Sequence, residues 1–205
     1  MNVIKSCLSL VIFAILMGCG LKVGGPANPE ERGRIFLTEN DYSPETIRSV
    51  VEGGPLSHNI VVELSKTQSA DVRFLVARNP HLTTEEVDLY IKDKDEFARS
   101  GAAWNPNLSR AQILLLMADK SHTVYCKLAQ NPSIPQDLLL KLHAERNLDA
   151  AWFAYNPKCP DEIKEEIFES KDQGSKDILK AVEERLKREQ AAAPYDAPRR
   201  VAGDP

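Results

Sequence analysis

ARNP at residues 77–80, AWNP at 103–106, AQNP at 129–132 and AYNP at 154–157 are four copies of one pattern. Asn79, Asn105, Asn131 and Asn156 stand 26, 26 and 25 residues apart, followed by Pro80, Pro106, Pro132 and Pro157. The neighbours keep the same register. An alanine lies two residues before each asparagine: Ala77, Ala103, Ala129 and Ala154. An apolar residue lies three residues after it: Leu82, Leu108, Ile134 and Cys159. A fixed period of this length marks a chain built from repeated units that bury their faces on one another.

Working outward from each Asn-Pro, the spacing predicts a turn and then a helix. Thr83, Ser109 and Asp161 are placed to cap the helix N-termini, with Pro135 and Pro160 in the first turns. Apolar residues then recur at helical spacing: Val87, Tyr90 and Ile91; Ile113, Leu116 and Met117; Leu138, Leu139 and Leu142; Ile163, Ile167 and Phe168. Helices of about ten residues do not stand alone in water, so each must bury its stripe against neighbours. A second short α or 3-10 segment follows at 96–104, 123–130 and 148–155. The alanine suits a site where two backbones approach closely. The asparagine ends this segment, the proline prevents its continuation, and the amide can bond to the backbone of an adjacent unit.

Weaker copies flank this centre. Asn40 reads as the asparagine of an atypical first unit, with Pro44 opening a helix. The 39 residues from Asn40 to Asn79 then imply an insertion of about 13, broken at Gly53-Gly54-Pro55 and holding an extra helix at 59–66. At the other end, a break at Gly174 precedes a longer helix from Ser175 to Glu189. Ile178, Leu179, Val182 and Leu186 line its inner face, in the manner of a terminal cap.

The N-terminus reads as an address. Lys5 precedes a ten-residue apolar run at 8–17, too short to span a hydrocarbon layer of about 30 Å. Leu16-Met17-Gly18-Cys19 resembles the lipobox of bacterial lipoproteins, with Met17 where a small residue is usual. The resemblance implies cleavage before Cys19 and acylation of its sulfur and new amino group. Gly20, in place of the aspartate that retains lipoproteins in the inner membrane, implies an outer-membrane anchor with the domain facing the periplasm. Residues 20–32 carry Gly, Pro and charge without periodicity, and include an Asn28-Pro29 pair out of register. The expected organisation is a signal peptide at 1–18, a flexible tether with lipidated Cys19 at 19–33, a helical repeat domain at 34–190, and a disordered tail at 191–205.

Val72-Arg73 with Ala77-Arg78-Asn79-Pro80 resembles the variant leucine-rich repeat, and Val124-Tyr125 and Ala98-Arg99 occupy the Val-Arg place in later units. The resemblance covers roughly 39–169 and implies a right-handed solenoid of alternating α and 3-10 helices without strands. It implies a scaffold and no reaction. The iron–sulfur cluster of some family members sits on a cysteine-rich segment with no counterpart here.

The 205 residues carry a net charge of −4 and no basic stripe, against a nucleic-acid partner. Cys126 and Cys159 remain after Cys7 and Cys19; they are read either as a disulfide between units or as two buried thiols. His122 and Cys126, four apart, are two ligands short of a metal site. No phosphate loop or nucleophile elbow is present. No catalytic residue, metal, cofactor or small-molecule substrate is expected. The residues just before each asparagine, Arg78, Trp104, Gln130 and Tyr155, are the candidate binding strip, because repeats place equivalent positions in a row and aromatics with arginine favour binding hot spots. The bland alternative is partial burial against the neighbouring turn. The expected function is non-enzymatic: a membrane-anchored lipoprotein binding another envelope protein, or else a structural subunit packed permanently into an envelope complex.

Overall fold

The computed structural model describes residues 28–146 and 148–192. The signal peptide, Cys19 and most of the tether and tail lie outside them. The described residues form eleven α-helices and one 3-10 helix, with no strand. In chain order these are α1 (Pro29–Glu39), α2 (Pro44–Glu52), α3 (His58–Ser65), α4 (Ala70–Ala77), α5 (Thr84–Ile91), α6 (Glu96–Ala103), α7 (Arg110–Met117), α8 (His122–Gln130), α9 (Gln136–Arg146), the 3-10 helix (Ala150–Phe153), α10 (Asp161–Glu169) and α11 (Gln173–Ala192).

Each unit is a first helix, a turn and a second helix. The second helices pack in order, α1 on α4, α4 on α6, α6 on α8 and α8 on the 3-10 helix. Among the first helices, α3 packs on α5 and α5 on α7, and Arg110 of α7 reaches Asp137 of α9 at 2.5 Å. Helix α4 has neighbours all round, which is why Val72 to Ala77 are buried without a break. Where α6 crosses α4 the backbones nearly touch. A Cβ on Gly101 would fall 2.9 Å from Phe74 Cα and closer still to its carbonyl oxygen.

The asparagines join the units. Asn105 Nδ2 donates to the carbonyls of Ala77 (2.8 Å) and Asn79 (2.9 Å). Asn131 does the same to Ala103 (2.8 Å) and Asn105 (2.9 Å), and Asn156 to Ala129 (2.7 Å) and Asn131 (2.9 Å). Each Oδ1 accepts the backbone N–H two residues on, at Asn107, Ser133 and Lys158. All four asparagines are buried, so these bonds form away from water, where an unmet polar group is costly. The four alanines are fully buried, and the next asparagine reaches over Ala77, Ala103 and Ala129 to their carbonyls.

The first rung corrects the reading of the N-terminal region. Asn40 is an exposed C-cap of α1 whose Nδ2 bonds back to Phe36 O at 2.8 Å. The ladder continues instead from Asn79 Nδ2 to Gly54 O at 2.8 Å. Gly54-Pro55 therefore stands in the Asn-Pro place, 25 residues before Asn79, and α3 with α4 is a regular unit with no insertion. The out-of-register Asn28-Pro29 is a helix start: Asn28 Oδ1 accepts from Glu31 N at 3.0 Å, so residues 28–33 belong to the fold rather than the tether. Arg32 pairs with Asp71 at 2.7 Å and pins α1 to α4.

Smaller differences have local causes. Thr83 and Ser109 cap α5 and α7 with full capping boxes to Glu86 and Gln112. Asp161 is the first helical residue of α10, and Pro160 holds the cap position. Gly174 lies in the first turn of α11; the break falls at 170–172, where Asp172 accepts the N–H of Gly174 at 3.0 Å. Leu179 and Val182 of α11 are buried. Phe168, expected inside, is 40% exposed.

Candidate functional site

The four residues before the ladder asparagines end their helices or lie just beyond them. Arg78 and Trp104 are the C-caps of α4 and α6, Gln130 ends α8, and Tyr155 follows the 3-10 helix. Arg78 is half-buried. Its Nη2 donates to Glu30 Oε1 at 2.6 Å and its guanidinium lies 5.6 Å from the Phe74 ring centre, so α1 has already neutralised its charge. Trp104 and Tyr155 are half-buried as well. Gln130 is only 3% exposed, and its Oε1 is buried without a hydrogen-bond partner. The row thus presents three side chains partly to solvent, and the fourth lies beneath the surface.

A second register lies one helical turn away, four residues before each asparagine; Leu75 and Gly101 are buried there, and only the later two units place side chains partly in solvent. It adds Lys127 and Trp152, which the sequence reading did not single out. Lys127 Nζ lies 5.1 Å from the Trp104 ring centre. The His122 ring meets Trp152 edge-on at 5.9 Å. Both tryptophans of the chain therefore sit half-buried on the second-helix side. The signal was available: Lys127 with Gln130 and Trp152 with Tyr155 are i,i+3 pairs, which share a helix face. Phe97 stacks on Phe74 at 4.4 Å and extends this surface towards α4.

The arginines of the Val-Arg place are used internally. Arg73 Nε and Nη2 grip Asp93 at 2.7 and 3.2 Å, while Nη1 donates to Thr67 O at 2.6 Å. Arg99 repeats this on Asp119 at 2.6 and 3.0 Å, with Asp93 O at 2.9 Å. Each clamp fastens the link between first and second helix. Burial alone would raise the Asp119 carboxyl. The Arg99 hydrogen bond and the N–H of Ser121 outweigh it and hold the group below the usual carboxylate range. In the third unit Tyr125 replaces the arginine. Arg146 comes from the other side, stacks 4.6 Å over the Tyr125 ring and donates from Nε to Met117 O at 2.8 Å.

Other reactive groups are scattered. Cys126 and Cys159 are both buried. Burial pushes the Cys159 thiol up to about 12. Cys126 Sγ lies 3.3 Å from His122 Nδ1. His143 bridges Leu148 O (2.7 Å) and Glu166 Oε2 (2.9 Å). No group of three or more His, Cys, Asp or Glu side chains is arranged to hold a metal among the described residues. An open cleft of about 490 Å³ lies between α1 and α3, lined by Phe36, Tyr42, His58, Glu63 and Lys66 among others. Its Tyr42 hydroxyl donates to Glu63 at 2.6 Å; burial, aided by that carboxylate, raises the phenol to about 12. No helix of the described residues is long and apolar enough to cross a membrane. Compared with known protein families, characterised proteins and solved structures, the chain finds no match.

Proposed function

We propose that the chain is a non-enzymatic lipoprotein of the bacterial outer membrane, anchored at Cys19, in which a right-handed solenoid of variant leucine-rich repeats offers a surface to another envelope protein. The observation that carries the scaffold half is the amide ladder. Identical bonds from Asn105, Asn131 and Asn156 fix successive units in the same relation, as a regular repeat requires. The binding half rests on the second-helix side, where Trp104, Trp152 and Tyr155 are only half-buried and Lys127 lies over Trp104. Large aromatics left partly in water and braced by a cation are the residues that dominate protein interfaces.

A photo-crosslinking residue at position 104 or 155, irradiated in intact cells, tests the surface. One discrete adduct is expected, and it should vanish when Trp152 is replaced by alanine. Adducts no more discrete than those from Glu165, on the exposed side of α10, would refute it. The anchor is tested separately. Cys19→Ala should release the protein from membranes in a high-salt wash, and a variant that still pellets would rule out acylation as the tether.

A further inference from the structure

Helix α7 is apolar on the side that faces water. It buries Gln112, Ile113, Leu116 and Met117, and beyond Arg110 it exposes Ala111, Leu114 (39%) and Leu115 (56%), with Ala118 exposed at its C-cap. Equivalent faces elsewhere are charged: α9 exposes Asp137, Lys141 and Glu145, and α10 exposes Glu162, Glu165, Glu166 and Glu169. Leu89 of α5, 42% exposed, holds the register of Leu115, ten residues after its asparagine, on a helix that packs against α7. Three of the five large apolar side chains exposed among the described residues therefore share one patch. A helix apolar all round is one that something covers.

Cations edge this patch. Lys92 lies one turn beyond Leu89. Lys94 and Lys120 occupy the same place in successive links, fifteen residues after Asn79 and Asn105. All three are exposed. Several neighbouring acids are engaged: Asp93 by Arg73, Asp119 by Arg99, Asp137 by Arg110, Asp88 by Gln112, and Glu145 by Lys141 at 3.7 Å. Glu85, one turn before Leu89, and Glu96, two residues after Lys94, are exposed and set against the three lysines.

We propose that Leu89, Leu114 and Leu115, with Lys92, Lys94 and Lys120 at their edge, rest on an anionic phospholipid surface. The inference builds on the lipid-anchor reading. Three half-exposed leucines offer far less than the roughly 800 Å² per partner that a stable protein pair buries. A bilayer demands no shape complementarity and adds to an anchor already present. Each lysine near an anionic surface strengthens the contact roughly fivefold. The nine residues from Cys19 to Asn28 span at most about 30 Å, which keeps the domain beside the bilayer. Docking by the first-helix side turns the second-helix side, with its tryptophans, towards the periplasm.

The test uses the full acylated protein in vesicles of phosphatidylethanolamine and phosphatidylglycerol that carry bromine-labelled phospholipid. Leu115→Trp, a surface change, adds one reporter to the native pair on the other side; Leu89→Trp is a second, independent placement, and circular dichroism checks that both fold. The added emission should be quenched at least twofold more than that of wild type. Replacing phosphatidylglycerol with phosphatidylcholine, or Lys92, Lys94 and Lys120 together with glutamate, should remove most of that quenching. A chain that co-sediments with the vesicles while its added tryptophan is quenched no more than the native pair overturns the docking and points to a protein on this face. A chain that does not co-sediment overturns the anchor reading and the docking with it.

Discussion

Asn131→Ala is the most direct probe of the ladder. The side chain is fully buried and makes three bonds: Nδ2 to Ala103 O at 2.8 Å and to Asn105 O at 2.9 Å, and Oδ1 from Ser133 N at 2.8 Å. Three buried bonds at about 1 kcal/mol each, plus part of the penalty for the groups left unmet, give a loss of about 3–5 kcal/mol. Against a usual total of about 5–15 kcal/mol, that is enough to uncouple the C-terminal units. Asn79→Ala should cost less, about 2–3 kcal/mol, because its amide makes one rung, to Gly54 O, and its Oδ1 accepts only from His81 N. Asn40→Ala, exposed and outside the ladder, should cost about 0.5 kcal/mol or less. Urea unfolding followed by helical circular dichroism measures all three. Asn131→Asp sharpens the test. At neutral pH it places a carboxylate against two carbonyl oxygens and should be worse than alanine. Its folded-state carboxyl is raised by that environment, so the variant should regain stability as pH falls. Equal losses for Asn131→Ala and Asn40→Ala would refute the ladder as the main coupling between units.

Three further outcomes follow from other contacts. Gly101→Ala drives a Cβ into the Phe74 backbone, and should cost upwards of about 2 kcal/mol by thermal unfolding; a neutral result would mean α4 and α6 are not so close. Arg99→Met should destabilise the domain by an amount that depends on pH. Asp119 has its carboxyl held below its ordinary 3.8, so the stability it contributes is complete above that value and lost as pH falls through the lowered one. The gap between wild type and variant should close in acid, and a gap that widened would contradict the assigned pairing. Gln130→Leu should be neutral or slightly stabilising in urea unfolding, because it removes a buried oxygen with no partner. A loss above about 1 kcal/mol would show that the amide is satisfied after all.

The repeat was legible because the same physical demand is written several times. An asparagine that must meet two carbonyls, an alanine beneath it and a capping Thr83 or Ser109 recur in register, so chance at one position is outvoted. The first rung was not legible, because Gly54 takes part only through its backbone carbonyl, which every residue type supplies. Asp93 and Asp119 were hidden for another reason. Each sits in a polar link among surface charges, and only the fold brings it 20 residues back to Arg73 or Arg99. The strip before each asparagine was half legible. Register placed Arg78, Trp104, Gln130 and Tyr155 in one row, but register says nothing of depth, and Gln130 lies beneath the surface. The apolar outer face of α7 was open to inspection in the run Ile113 to Met117. It was masked because the run also contains the inward stripe, and only burial separates Leu114 and Leu115 from Ile113 and Leu116.

The ladder also has a direction. Every rung is donated by a later residue to an earlier one: Asn79 to Gly54, Asn105 to Asn79, Asn131 to Asn105, Asn156 to Asn131. A chain that emerges N-terminus first can therefore close each rung against finished material. No unit waits on a donor more than one unit ahead, since each rung spans 25 or 26 residues and never the length of the chain. The architecture is suited to vectorial assembly, growing from α1 as a wall grows from its foundation course, with α11 set last against α10.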